Sequence, residues 1–345
     1  MIKAILMLNT CLFIFAPTRA QTTQRLDHDT SYYRSYKGSI IGRVFLSRSY
    51  SLLRLDPQNG LPVMKYRANT PLNIGLGFSY SFFSVSLSKG LNFLQSESKK
   101  GKTSSFDLQT HIYRRKWTFD ALTQFYKGYY LSAPNIGSAG DGGAGGSGMA
   151  NPGYYLRPDM GLNNVGATGY RILNDRHFSY GAGLGQNSMQ QKSAGSFLFG
   201  GQAFYTAIHA DSAMVPYKID SAYDIRKFHL FSIGPGIGYA YTFVYLRHYF
   251  LLGSANVNLN ANFSREIGPG IKSDKVGLAP NYILRFGAGY NTNKWGLSAV
   301  WFTSSLNAEG NSTAYRYTIR AGSYRLVYVR RIAINRKMRS ILEPH

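Results

Sequence analysis

The sequence predicts an all-β protein: an antiparallel up-and-down transmembrane β-barrel of about twelve strands, with roughly ten to fourteen allowed, since single-chain barrels of this kind have even counts. Three observations carry that expectation. Strand-like segments keep a two-residue hydrophobic period for about 9 to 13 residues, longer than the roughly 5 or 6 of soluble sandwich strands and close to the roughly 9 to 11 of a tilted membrane strand. The face opposite the apolar row is mostly Gly, Ser and Asn, the composition of a crowded or wet lumen rather than of a soluble surface. Aromatic pairs bracket short turns at Tyr113 and Trp117, Tyr170 and Phe178, and Tyr290 and Trp295, as aromatic girdles do at a membrane boundary.

Taken in order, residues 1–20 have the form of a signal peptide. Lys3 precedes an apolar run from Ala4 to Phe15, and Thr18-Arg19-Ala20 supplies small residues at the cleavage positions, so the mature chain is expected to begin at Gln21. Lipidation at Cys11 is disfavoured by Thr10 before it and by the apolar run continuing past it. Cys11 is the only cysteine, which excludes a disulfide scaffold, a thiolate metal site and a cysteine nucleophile from the mature chain. After the signal, no apolar run reaches the roughly 20 residues of a membrane helix.

Residues 21–38 read as a polar, mobile leader containing Asp27-His28-Asp29. The barrel is expected over 39–331. Leu72, Ile74, Leu76, Phe78 and Tyr80 alternate with small residues, and the phase changes at Ser81-Phe82 to Phe83, Val85 and Leu87, as a tight hairpin requires. Phe106, Leu108, Thr110 and Ile112 turn at Arg114-Arg115-Lys116 into Trp117, Phe119, Ala121 and Phe125. A third hairpin is read from Met160–Leu173 through Asn174-Asp175-Arg176 to a return strand over Phe178–Gly185.

The clearest strand, 231–243, sets Phe231, Ile233, Ile237, Tyr239, Tyr241 and Phe243 against a small-residue face, with Pro235 suggesting a bulge. It is followed by Leu251–Phe263, whose other face carries Asn256, Asn258, Asn260 and Asn262. Tyr282–Tyr290 and Trp295–Thr303 form the last clear pair. A Gly-rich connection over 132–151 reads as a surface loop, and a basic tail occupies 332–345. About thirteen runs of alternation are countable, and the alternation of short turns with long connections fails between 186 and 227, where Asp211–Arg226 falls on the short-turn side.

At this point the chain resembles an uncharacterised outer-membrane β-barrel family of Gram-negative bacteria, catalogued only as a domain of unknown function. The resemblance rests on Tyr66-Arg67-Ala68-Asn69-Thr70-Pro71, Gly75-Leu76-Gly77-Phe78-Ser79-Tyr80, Phe106-Asp107-Leu108-Gln109 and Arg115-Lys116-Trp117. Tyr126-Lys127-Gly128-Tyr129-Tyr130 and Lys192-Ser193-Ala194-Gly195-Ser196-Phe197 extend it over roughly residues 30–330. It implies an outer-membrane barrel and no particular activity.

The net charge of +23, or +21 without Lys3 and Arg19, would suggest nucleic acid in a cytosolic chain. Behind an export signal the expected partners are instead outer-membrane lipid, anionic surface glycolipid and small anionic solutes. The candidate polar cluster is Asp107, Gln109 and His111 on one strand face, with Asp120 across the turn; a carboxylate beside an imidazole orients a general base, but no serine is singled out as nucleophile. Arg43, Arg171, Arg285, Arg316 and Arg320 fall at alternate-face positions and are candidate lumen or rim arginines. His177, His209, His229 and His248 lack metal-ligand spacing, and Gly234, Gly236 and Gly238 do not sit at a strand-to-helix turn as a nucleotide loop requires. No cofactor is expected. The reading is a non-enzymatic envelope protein, a narrow pore or a structural barrel; the alternatives are a barrel hydrolase or acyltransferase acting on envelope lipid, and a surface-binding or assembly component.

Overall fold

The computed structural model describes residues 27–36, 38–58, 60–80, 83–91, 98–132, 154–311 and 315–333. The signal peptide, nearly all of the Gly-rich loop and most of the basic tail lie outside the described residues. The strands are β1 (Tyr33–Ser35), β2 (Ser39–Pro57), β3 (Met64–Ala68), β4 (Asn73–Tyr80), β5 (Phe83–Gly90), β6 (Ser104–Tyr113), β7 (Trp117–Leu131) and β8 (Leu156–Ile172). They continue as β9 (Ser188–Gln190), β10 (Ala194–His209), β11 (Lys227–Tyr245), β12 (Tyr249–Gly268), β13 (Ile271–Asn291), β14 (Trp295–Glu309) and β15 (Tyr315–Ala333).

All but β1 and β9 belong to one 13-stranded antiparallel sheet. It closes on itself because β15 pairs with β2 along their whole lengths, from Tyr315 opposite Pro57 to Ala333 opposite Ser39. Closure is what a barrel in hydrocarbon requires, since an open edge would leave backbone N–H and C=O groups with neither water nor a partner. Between β2 and β7 the wall changes character along its height. Near the long connections the short β3 bridges the two directly. Near the short turns β4 and β5 extend from β2 while β6 extends from β7.

The side-chain period sorts the wall as the sequence requires. On β11, Phe231, Ile233, Ile237, Tyr239, Tyr241 and Phe243 are exposed outside, whereas Ser232, Ala240 and Thr242 are fully buried inside. On β12, Val257, Leu259 and Phe263 face out, and Asn256, Asn258, Asn260 and Asn262 are buried in the lumen. An exposed belt of this size and composition is the surface that a bilayer core covers. The Tyr290 and Trp295 rings lie 5.3 Å apart beside Tyr249 and Tyr328, an aromatic cluster at the short-turn end.

Four expectations are corrected. Phe178–Gly185 is not a strand: Tyr180–Gly183 form a helical turn, and the partner of β8 is β10. With that strand removed, Asp211–Arg226 connects β10 to β11 at the long-connection end, which restores the alternation. Tyr170 and Phe178 are fully buried and belong to the interior rather than to a girdle. Pro235 makes no bulge; the β11–β12 ladder skips Gly234 and Pro235 and resumes in the same register at Gly236. The register shift lies instead between Lys127 and Tyr129.

Both ends of the lumen are filled. At the short-turn end the leader is not mobile over 27–36: β1 pairs with β9, and this pair and the turn at 180–183 pack with Tyr32, Tyr36, Phe178 and Leu184 against Leu252, Phe302 and Val329. At the other end Met214, Val215, Tyr223 and Ile225 of the 210–226 connection fold inward onto Leu53, Tyr66, Phe228 and Tyr317. Gly128 lies on β7 near the long connections, close against the chain at Lys102 and Thr103. Its φ of +93° is one that residues with a side chain rarely adopt, and an added Cβ would fall 2.3 Å from the Lys102 carbonyl oxygen. Gly128→Ala is therefore expected to cost about 2–4 kcal/mol through backbone strain and overpacking, read as a lower urea midpoint in unfolding followed by tryptophan fluorescence.

Candidate functional site

The β6–β7 register places His111 directly opposite Asp120 and Asp107 opposite Gln124, so the polar residues of both strands share the inner face. His111 Nδ1 lies 2.6 Å from Asp120 Oδ1. The other carboxylate oxygen of Asp120 accepts from Arg285 Nη2 on β13 and, at 3.4 Å, from Thr168 Oγ1 on β8. Arg285 also donates to the Tyr180 hydroxyl at 3.3 Å, which is 2.7 Å from Ser254 Oγ. Asp107 accepts from Gln109 Nε2 at 3.0 Å, Gln124 Nε2 at 3.1 Å and the Tyr126 hydroxyl at 3.0 Å.

Asp120 and Arg285 come from opposite walls, and their side chains are only 8% and 2% exposed. The remaining hydrogen bonds offset part of the desolvation of such a pair; Thr168 and His111 supply them to Asp120 and Tyr180 to Arg285, whose Nε stays buried without a partner. Its role is to tie β7, β13 and the 180–183 turn at one level of the lumen.

The other candidate arginines divide by place. Arg43 points inward and donates to Ser79 Oγ and, at 2.7 Å, to the Gly185 carbonyl. Arg171 is exposed on the outer face near the short turns, its guanidinium 5.8 Å from the Trp117 ring. Arg316 is exposed near the long connections, 3.7 Å from Glu309, and Arg320 stands on the same outer face, 5.9 Å from the Tyr282 ring. His229 is held by the Tyr205 hydroxyl at 2.9 Å and His248 by the Asn291 carbonyl at 2.8 Å. Among the described residues no group of three or more His, Cys, Asp and Glu is placed to hold a metal ion.

A cavity of about 700 Å³ lies between the short-turn plug and the wall, lined by His111, Tyr113, Arg43, Arg285 and Arg325 among others. Arg325 is a site residue that the sequence reading missed; it lies on the inner face of β15 with its guanidinium 5.1 Å from the Phe45 ring. Arg331, at the last position of the expected barrel, is buried and donates to the carbonyls of Gln186 at 3.0 Å and Thr292 at 2.8 Å. In the plug, burial pushes the Tyr33 phenol up to about 12, so it stays protonated and donates to the Asp175 carbonyl at 3.0 Å.

A closed antiparallel barrel with an apolar outer belt, a polar interior and an internal plug defines a membrane-spanning β-barrel protein. The chain belongs to the family described as "Domain of unknown function (DUF4421)", whose model matches residues 27–329. No curated protein matches the sequence. Among solved structures, the outer membrane protease OmpT from Escherichia coli is similar at 9% identity and a TM-score of 0.39, covering 87% of this chain and 98% of that one. The P. putida toluene transporter TodX has 9% identity and a TM-score of 0.30, over 86% and 91% of the two chains. Neisserial surface protein A has 9% identity and a TM-score of 0.22, over 85% and 97%.

Removing one partner of the lumen ion pair leaves the other buried and uncompensated. Asp120→Asn is expected to lower unfolding stability by about 3–5 kcal/mol, whereas Asp120→Leu combined with Arg285→Met should recover most of the loss. Urea titration of the three proteins, wild type and the two variants, each refolded in the same detergent, measures both.

Proposed function

We propose that the protein resides in the outer membrane of a Gram-negative bacterium, exported by the signal peptide at 1–20, as a non-enzymatic barrel that does not conduct. The supporting observation is the ion pair between Asp120 and Arg285 on opposite walls. A continuous path past that level would have to break it, at a cost of about 3–5 kcal/mol for the exposed partner alone, and would also have to displace the plug at one end and the Met214–Ile225 cap at the other. Of the two roles open to a non-enzymatic barrel, a structural or binding barrel therefore fits better than a narrow pore. The outward Arg316 and Arg320 suit contact with phosphate groups of anionic surface glycolipid, and Arg171 beside Trp117 suits lipid head groups at the other boundary.

One observation favours the enzyme reading: His111 faces a cavity while Asp120 holds its Nδ1, the arrangement of an oriented general base. Against it, among the described residues no Ser or Thr hydroxyl is hydrogen-bonded to His111, as a side-chain nucleophile of the serine-hydrolase kind would be.

Heat-modifiable migration on a gel, with outer-membrane fractionation, tests the location. In planar bilayers the folded protein is expected to give no discrete conductance; reproducible anion-leaning steps would overturn the closed-lumen reading. Any hydrolysis or acyl transfer on envelope lipid is expected to be at background and unchanged in His111→Ala, and an activity lost in that variant would establish the enzyme instead.

A further inference from the structure

We propose that the cavity beside the plug binds an anionic amphiphile, an acyl or alkyl chain carrying a carboxylate or phosphate head, which enters sideways from the bilayer between β5 and β6. The geometry begins with β6 itself. Alternate residues of a strand point to opposite faces, and Gln109, His111 and Tyr113 bring the inward face of β6 into the cavity lining. The cavity is also lined by Leu108 and Ile112 from the outer face of β6, and by Ser86 from β5. It therefore runs along β6 as far as the edge that β5 faces.

The wall is open at that place. β5 pairs with β4 and β6 pairs with β7, and among the described residues no ladder joins β5 to β6. Every other neighbouring pair in the ring shares backbone hydrogen bonds. In hydrocarbon two facing unpaired edges are unfavourable unless something polar meets them, and a head group passing between them would do so. Leu87, 80% exposed on β5, and the exposed Leu108 and Ile112 on β6 give an apolar chain its contact at the same opening.

The charge inside selects the sign of the head. Arg43, Arg114, Arg115, Lys116, Arg285 and Arg325 line the cavity, and no Asp or Glu does. Two of these cations already have carboxylate partners, Asp120 on Arg285 and Asp175 on Arg115. Arg325 has no ion-pair partner among the described residues, and its Nε is buried without a hydrogen bond. A planar guanidinium held over Phe45, with an apolar approach on one side, suits a carboxylate or a phosphate monoester.

The test uses purified full-length protein in a neutral detergent, with a dibrominated stearate as probe, since bromine quenches a tryptophan it touches and Trp117 lines the cavity. Quenching is expected to saturate and to be reversed by dodecyl phosphate, but not by inorganic phosphate or dodecyltrimethylammonium at the same concentration. Arg325→Gln, which removes an unpaired buried charge and so should fold, is expected to weaken binding about tenfold. Non-saturable quenching, unchanged affinity in Arg325→Gln, or displacement by the cationic detergent would overturn the proposal. Displacement by inorganic phosphate would assign the site to a free anion and overturn the sideways entry. Bridging Ser86→Cys to Thr110→Cys with a bis-maleimide, in a chain whose described residues contain no cysteine, should slow probe association at least about tenfold. An unchanged association rate would likewise overturn entry at this seam. These readouts are independent of conductance, so a conducting protein would remove the closed-lumen reading without touching this one.

Discussion

The structure depends on one constraint: inside hydrocarbon, each backbone N–H and C=O must find its partner within the protein. The long ladder between β15 and β2 answers it by joining the last strand of the barrel to the first, over Ser39 to Pro57 and Tyr315 to Ala333. Once the ring is closed the rest follows from period two. Outward positions of β11 and β12 meet lipid and are Phe, Ile, Leu, Val and Tyr; inward positions meet one another and are small or amide-bearing. The same constraint gives meaning to the stretch of wall between β5 and β6 where, among the described residues, two edges face each other without a ladder.

The outer surface was legible in the sequence because lipid imposes a uniform rule on it. Any residue facing the bilayer must be apolar, so the pattern repeats without regard to what lies inside. The interior obeys no such rule. The segment over 178–185 has the alternation of a strand, with Phe178, Tyr180, Ala182 and Leu184 set against Ser and Gly, yet residues on both of its faces, Tyr180 to Gly183, are buried inside the protein. There, Gly181 and Gly183 allow close approach to Asn187 and Leu252 rather than marking a wet face. The 210–226 connection reads as polar from Asp211, Ser212, Lys218 and Asp220, while its buried contacts come from four scattered residues with no period.

The same division separates the parts of the site. The pairing of His111 with Asp120 could be foreseen because only nine residues and one turn separate them, and hairpin register is a local matter. The partnership of Asp120 with Arg285 joins residues 165 apart in sequence and depends on the circumference of the ring. Arg325 was hidden for a related reason: its row on β15 also holds Ala321, Ser323, Val327 and Val329 and looks unremarkable until the strand is placed beside Phe45.

Arg331 has a consequence of a different kind. It stands near the end of the strand that completes the ring, and its acceptors are the Gln186 carbonyl of the plug and the Asn291 and Thr292 groups of the β13–β14 turn. A guanidinium buried at that point without those acceptors would be strongly unfavourable. Shutting the ring and seating the plug are thereby coupled through one side chain, so the two events favour each other. A barrel completed without its plug is then disfavoured relative to the filled one, because it would keep that guanidinium buried while taking away part of its acceptors.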